Sequence, residues 1–98
     1  MKIPTLERPH PTMGGVQRLY RFSNNRGASV IQSRYSYGSQ EGKWELAVLT
    51  FTGEDVTNFF IDYTTPLTDD VLGYLSEEEV DDLLGQVEAL PPFKGERE

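Results

Sequence analysis

Apolar residues repeat with two different periods along this 98-residue chain, and the period changes near Pro66. Before that point apolar and polar residues alternate, which indicates β-strands. After it the apolar residues recur every three to four positions, which indicates a helix. The sequence therefore predicts an α+β protein in which a sheet forms first along the chain and a helix follows.

Four alternating segments, joined by short turns rich in Gly, Asn and Ser, precede the change of period. We predict strands over residues 16–22, 28–37, 43–52 and 56–63. Strands at roughly ten-residue spacing with short turns between them are typical of an antiparallel meander. The third segment is apolar on both faces, as expected of a central strand that is covered on both sides.

A short helical turn and one longer helix are predicted after the strands. Thr68 is a candidate cap for the turn, and Gly73 limits its length. Ser76 and Glu79 have the spacing of a capping box at the start of the longer helix. A Pro-Pro pair ends that helix, and its apolar stripe is predicted to pack on one sheet face. The stripe comprises Val80, Leu83, Leu84, Val87 and Leu90.

The chain is predicted to hold one domain, over residues 16–92, between a flexible arm at 1–15 and a frayed tail at 93–98. Because the chain has no cysteine, disulfides, cysteine-based zinc sites and thiol nucleophiles are excluded. The first residues lack the apolar core of a signal peptide, and no apolar run is long enough to span a bilayer. A cytoplasmic protein that does not bind membranes is the expectation.

Charge is distributed unevenly between the two halves of the chain. Residues 1–53 carry seven basic and three acidic residues, a net charge of +4, whereas residues 54–98 carry two basic and thirteen acidic residues, a net charge of −11. A strongly acidic surface repels nucleic acid and anionic membranes and favours encounter with a basic partner. The other interpretation is that these charges serve solubility alone.

No catalytic pattern is evident. The single histidine, His10, lies in the predicted arm, and the glycines match neither a phosphate-binding loop nor a dinucleotide-binding motif. The sequence therefore predicts a protein that is not an enzyme and has no cofactor or metal. A carboxylate- or metal-dependent enzyme is an alternative. It would have to use aspartates from the acidic half, namely Asp62, Asp69, Asp70, Asp81 and Asp82.

Two nucleic-acid hypotheses follow from the charges. Five basic residues, some of which interleave with tyrosines of the first two strands, have the character of single-strand binders. They are few and the whole chain is acidic, so the favoured interpretation is that the arginines pair with the acidic half or line a solvent face. The five basic residues are Arg18, Arg21, Arg26, Arg34 and Lys43. The second hypothesis is that the acidic helix face imitates a row of phosphates and inhibits a DNA- or RNA-binding protein. That face comprises Glu77, Glu78, Asp81, Asp82 and Glu88.

One helix cannot cover both apolar faces of the predicted sheet. Some of Tyr35, Tyr37, Trp44, Phe59 and Phe60 are therefore expected on a spare face that is shielded by the arm, a second copy or a partner. The alternative is that these rings form the core of a curled sheet. The predicted partner-binding residues combine this face with the acidic helix: Tyr35, Tyr37, Trp44, Glu77, Glu78, Asp81 and Asp82.

Several short segments of the sequence resemble small uncharacterised accessory proteins of tailed bacteriophages, notably phages of actinobacteria. These segments are residues 27–30, 35–38, 44–49 and 65–75, and the similarity covers roughly residues 20–90. The resemblance carries no active-site motif. It implies a phage accessory protein that acts in bacterial cytoplasm by binding and modulating a host or phage protein.

Overall fold

The computed structural model describes residues 3–9, 15–32, 43–51, 53–62 and 72–92. Within these ranges every strand pairing is antiparallel. The predicted α+β class, antiparallel sheet and C-terminal helix are therefore confirmed. The elements are β1 (Leu6–Pro9), β2 (Val16–Arg21), β3 (Arg26–Gln32), β4 (Trp44–Phe51), β5 (Phe59–Ile61), β6 (Leu72–Leu75) and α1 (Glu77–Glu88).

Strand β4 has partners along both of its edges. The sheet order is β1-β2-β3-β4-β5, and β6 also pairs with β4. Because β3 occupies one edge of β4, the strands β5 and β6 share the other, β5 next to the C-terminal part (Leu49↔Ile61) and β6 next to the N-terminal part (Trp44↔Leu75). This central position agrees with the apolar character of both faces of β4.

Two of the six strands differ from the expectation. β1 lies within residues 1–15, predicted to be a flexible arm, and pairs with β2 in the register Leu6↔Leu19. β6 includes Gly73, where the sequence predicts the end of a helical turn, and pairs with β4. The prediction of four strands was therefore too low. β1 ends at a proline and lies at the edge of the sheet, and β6 depends on pairing with the distant strand β4.

Strand β5 is shorter than the predicted strand over residues 56–63. A turn precedes it, in which Asp55 Oδ1 accepts hydrogen bonds from the Thr57 backbone N–H (2.8 Å) and the Thr57 hydroxyl (2.7 Å). These hydrogen bonds, the hydroxyl's first, lower the pKa of Asp55. His10, the segments 33–42 and 63–71, and the tail at 93–98 are outside the described residues.

Helix α1 packs on one face of the sheet and covers the larger of two apolar clusters. Three residues of the predicted stripe, Val80, Leu84 and Val87, are buried, and Leu83 is partly buried against the same cluster. The stripe is thus confirmed at these positions, where i, i+3 and i+4 spacing points the side chains toward the sheet. The sheet contributes Tyr20, Ala28, Val30, Trp44, Leu46, Val48 and Leu75.

The predicted capping box at the start of α1 is confirmed. The Ser76 backbone N–H donates to Glu79 Oε1 (3.0 Å), and the Glu79 backbone N–H donates to Ser76 Oγ (3.2 Å). The hydrogen bonds from the backbone and hydroxyl of Ser76 lower the pKa of Glu79. Their stabilisation is present above the ordinary carboxyl pKa and is lost as the pH falls through the lowered value.

The C-terminal end of α1 is held by the turn between β2 and β3. The Asn24 amide Nδ2 lies 3.0 Å from the carbonyl oxygen of Val87 and 3.1 Å from those of Glu88 and Leu90. Asn24 Oδ1 accepts from the Arg26 backbone N–H at 3.0 Å. The Val87 carbonyl also accepts from the Leu90 backbone N–H at 3.1 Å. One buried side chain therefore joins the turn to the carbonyls at the C-terminal end of the helix, where backbone partners are few.

The opposite sheet face carries a smaller cluster and no helix among the described residues. Leu19, Leu49 and Phe51 are fully buried there, with Leu6, Val56 and Phe59 packed against them. The rings of Phe51 and Phe59 meet edge to face with centroids 6.2 Å apart. The sheet is thus apolar on both sides, but α1 covers only one.

Thr50 places a hydroxyl group in the interior, where it has no hydrogen-bond partner among the described residues. A buried hydroxyl without a partner loses its hydrogen bonds to water and gains none within the protein. We therefore expect Thr50→Val to raise the free energy of unfolding by about 1 kcal/mol. Urea unfolding followed by circular dichroism measures this change. Thr50→Ser keeps the hydroxyl and is the control, with lower stability expected. A loss of stability in Thr50→Val would contradict the conclusion that the buried hydroxyl destabilises the fold.

Candidate functional site

Helix α1 concentrates negative charge. It contains six carboxylates and no Lys or Arg, and three of the carboxylates lie in its first turn. Carboxylates at this end interact favourably with the partial positive charge of the helix N-terminus. The six are Glu77, Glu78, Glu79, Asp81, Asp82 and Glu88.

The four acidic residues predicted to bind a partner fall into two rows at i, i+4 spacing. Glu77 and Asp81 are half-buried and form the row nearer the sheet, whereas Glu78 and Asp82 form the exposed row. Glu77 Oε1 lies 3.4 Å from Arg18 Nη1. The rows therefore differ in role, because the inner one contacts the protein itself and the outer one faces solvent.

A groove lies along the outer row. It has a volume of about 330 Å³ and is lined by Leu75, Leu83 and the carboxylates Glu78, Glu79 and Asp82. Leu75 comes from the end of β6, so the groove exists because that strand runs directly into the helix. An apolar lining with an acidic rim suits an amphipathic basic segment, whose stems bury while its charged ends pair.

Arg18 connects the inner row to the sheet. Its guanidinium lies 4.3 Å from the centroid of the Trp44 ring, and its Nε is 3.6 Å from Glu7 Oε1. This stacking is a cation–π contact. Burial raises the pKa of the neighbouring Tyr20 phenol, an effect that Arg18 partly opposes. Arg18 thus joins α1, β1 and the core, and it is not an open nucleic-acid contact.

The aromatic part of the predicted partner-binding set is not assembled in the described residues. Trp44 is only 5% exposed, because it packs in the core cluster beneath the Arg18 guanidinium. Tyr35 and Tyr37 lie outside the described residues. Trp44 is therefore not part of the exposed surface.

The basic residues considered for nucleic-acid binding are divided between both sheet faces. Arg26 Nη1 pairs with Asp62 Oδ2 at 3.2 Å, and Arg26 Nε donates to the Pro91 carbonyl at 2.7 Å. Arg21 stacks on the Phe51 ring of the opposite face, 4.8 Å from its centroid. Together with the Arg18–Glu77 contact, this agrees with the interpretation that basic residues of the first half pair with acidic ones of the second. Arg34 is outside the described residues.

The helix-free face has features that sequence reasoning missed. Ile61 of β5, which pairs with Leu49, is 42% exposed on this face. Phe60, one of the rings expected on a spare face, pairs with Thr50 and therefore points to the other side of the sheet, where it is 51% exposed. A separate depression lies among Gln17, Ser29 and Ala47. The only sequence signal for the depression is that Ser29 and Ala47 are small, and its meaning depends on the strand register that pairs them.

Within the described ranges, no group of three or more His, Cys, Asp or Glu side chains is placed to hold a metal ion. Asp69 and Asp70 are outside those ranges. In the same part of the chain, no helix has both the length and the apolar composition needed to cross a membrane.

No protein-family model, curated protein or solved structure matches this chain. The likeness to phage accessory proteins therefore rests on the short sequence segments alone.

Proposed function

We propose that this protein is a non-enzymatic interaction protein that binds a basic, amphipathic segment of another protein in the groove beside α1. The observation that carries the proposal is the lining of that groove, in which Leu75 and Leu83 lie beside Glu78, Glu79 and Asp82. Charge complementarity would speed the encounter, and the leucines would hold apolar side chains. The sequence resemblance points to a host or phage protein as the partner and to action in bacterial cytoplasm.

The groove favours a protein segment over a role as a nucleic-acid mimic. Imitation of phosphates requires only a row of charges, whereas a groove lined by leucines adds apolar area that a DNA-binding surface does not need. Of the five acidic residues considered for mimicry, Glu78, Asp82 and Glu88 are exposed, whereas Glu77 and Asp81 are half-buried. Glu77 is held by Arg18, which reduces the charge available to a mimic.

A labelled synthetic peptide of Lys and Leu in helical amphipathic spacing tests the proposal by fluorescence anisotropy. We expect Glu78→Lys with Asp82→Lys to weaken binding at least about tenfold, because each reversal replaces an attraction with a repulsion. The matched control is Glu54→Lys with Glu88→Lys, which changes the net charge equally at positions that do not line the groove. It should weaken binding by less than about threefold.

The leucine component is tested separately with Leu83→Ser. We expect about fivefold weaker binding of the Lys/Leu peptide, because the variant removes apolar area from the groove, and no change for a peptide of Lys and Ser. If both double charge variants lose the same affinity for the peptide, the effect depends on net charge alone. That result would contradict binding in the groove. If Leu83→Ser leaves peptide binding intact while the wild-type protein displaces DNA from a DNA-binding protein, mimicry replaces the proposal.

A further inference from the structure

A cavity of about 170 Å³ opens on the sheet face that α1 leaves uncovered. It lies far from the acidic groove, on the other side of the sheet, and draws its walls from four strands, β2 to β5. It is lined by the polar residues Gln17, Ser29 and Glu45 and by the apolar residues Ile31, Ala47, Phe59 and Ile61.

The cavity arises from a pattern of side-chain size. Ser29 and Ala47 are directly paired across β3 and β4, and both are small. Larger side chains surround them, with Ile31 on one side and Phe59 and Ile61 on the other. Since neighbouring side chains on a sheet face stand at fixed spacing, two small residues surrounded by large ones leave a depression.

One end of the cavity is polar and ordered by a chain of hydrogen bonds. Arg8 Nε donates to Gln17 Oε1 at 2.9 Å, and Gln17 Nε2 donates to Ser29 Oγ at 3.0 Å. In this series of hydrogen bonds the Ser29 oxygen is an acceptor. The Ser29 O–H group therefore remains able to donate a hydrogen bond. Ser29 is 9% exposed, and the bond from Gln17 is the only hydrogen bond of its side chain among the described residues.

Because the described residues offer this O–H no acceptor, and a buried hydroxyl gains from donating, the donor can serve a molecule bound in the cavity. A cavity of roughly 150 Å³ is known to hold one benzene ring, which sets the size of the ligand. Glu45 also lines the cavity and disfavours an anion there.

We propose that this cavity is a binding site for a small neutral molecule with an apolar body of about one aromatic ring and one oxygen that accepts a hydrogen bond from Ser29. Phe59, Ile31 and Ile61 contact the apolar body. Gln17 holds the Ser29 hydroxyl in the donating orientation, with Arg8 behind it. This site is independent of the function proposed for the acidic groove.

Benzyl alcohol is the probe, titrated into the full-length 15N-labelled protein and followed by NMR. We expect saturable shifts of the amide signals of β3, β4 and β5 with a dissociation constant in the millimolar range, as its small number of atoms allows. Toluene lacks the acceptor and should bind about fivefold more weakly. Benzoate has the same ring with a negative charge and should bind at least about tenfold more weakly.

Two variants locate the site. Ala47→Leu fills the cavity floor and should weaken benzyl alcohol and toluene alike by at least about tenfold, whereas Ala89→Leu, the same change at an exposed position beyond α1, should have no effect. Ser29→Ala should remove the preference for benzyl alcohol over toluene.

Four results would overturn the site: no saturation below about 20 mM benzyl alcohol, equal binding of toluene, equal binding of benzoate, or unchanged binding in Ala47→Leu. The three ligands are compared on the wild-type protein, so the test holds even if a variant fails to fold.

Discussion

Replacing Gly27 with alanine is expected to lower the free energy of unfolding by about 3 kcal/mol or more. An added Cβ would overlap the carbonyl oxygen of Tyr20, and it would lie 2.8 Å from the Tyr20 carbonyl carbon and 3.0 Å from a ring carbon of Phe51. The first two atoms are backbone of the neighbouring strand β2. They cannot move away without breaking the pairing of β2 with β3.

Gly85→Ala is the matched control for Gly27→Ala. An added Cβ at Gly85 meets no atom within 4 Å, and Gly85 lies inside α1. Alanine is the better helix former, so this variant should gain about 0.5–1 kcal/mol. Urea unfolding of both variants measures the difference. A Gly27→Ala protein as stable as the wild type would show that β2 and β3 do not approach as closely as described.

Asn24→Ala should cost about 2–4 kcal/mol, the second large effect. The variant removes the amide that the carbonyls of Val87, Glu88 and Leu90 share, together with the acceptor for the Arg26 N–H. Because Asn24 is buried, water cannot readily replace these hydrogen bonds. The loss should appear in both thermal and urea unfolding.

Two further variants separate the amide of Asn24 from general effects on the turn. Asn24→Asp retains the acceptor oxygen but turns the donor into an anionic oxygen beside three carbonyls, and it should be at least as destabilising as alanine at neutral pH. Ser23→Ala changes an exposed neighbour and should stay within about 0.5 kcal/mol of the wild type. If Asn24→Asp lowers the free energy of unfolding only slightly, the hydrogen bonds donated by the Asn24 amide contribute little to stability.

The sequence predicts the helix well because its signals are local. A capping box spans only four residues, from Ser76 to Glu79, and the stripe of Val80, Leu84 and Val87 requires only the helical period. Both are read from neighbouring positions. Their energetics do not depend on which distant segment lies opposite, so the structure agrees with the prediction.

The additional strands could not be found in this way. β1 ends at Pro9, and prolines argued against a strand in that region, although a residue at the end of an edge strand needs no ladder N–H. β6 spans four residues and includes Gly73, a residue that weakens both helix and strand. Each is a strand because β2 or β4 has an edge to pair with, which is a property of the folded sheet.

The candidate sites likewise combine residues that the sequence makes evident with residues that only strand pairing brings together. The acidic residues Glu78 and Asp82 were evident from composition, but the groove needs Leu75, which only the β6 pairing places beside them. The cavity needs Ser29 opposite Ala47, which follows from the register of β3 on β4. A shift of one residue in this register would place Ser29 and Ala47 on opposite faces of the sheet.

The contacts at the two ends of α1 bear on the order of folding. Arg18 meets Glu77 across 59 positions of the chain, and Asn24 meets Val87 across 63. Contacts between residues so far apart in sequence close a large loop. The chain loses conformational entropy in closing that loop before the contacts can stabilise the fold. Because the β2–β3 hairpin supplies both partners, we expect the hairpin to form before the helix docks. Docking of α1 should therefore be a late step, and folding should be slow for a chain of this size.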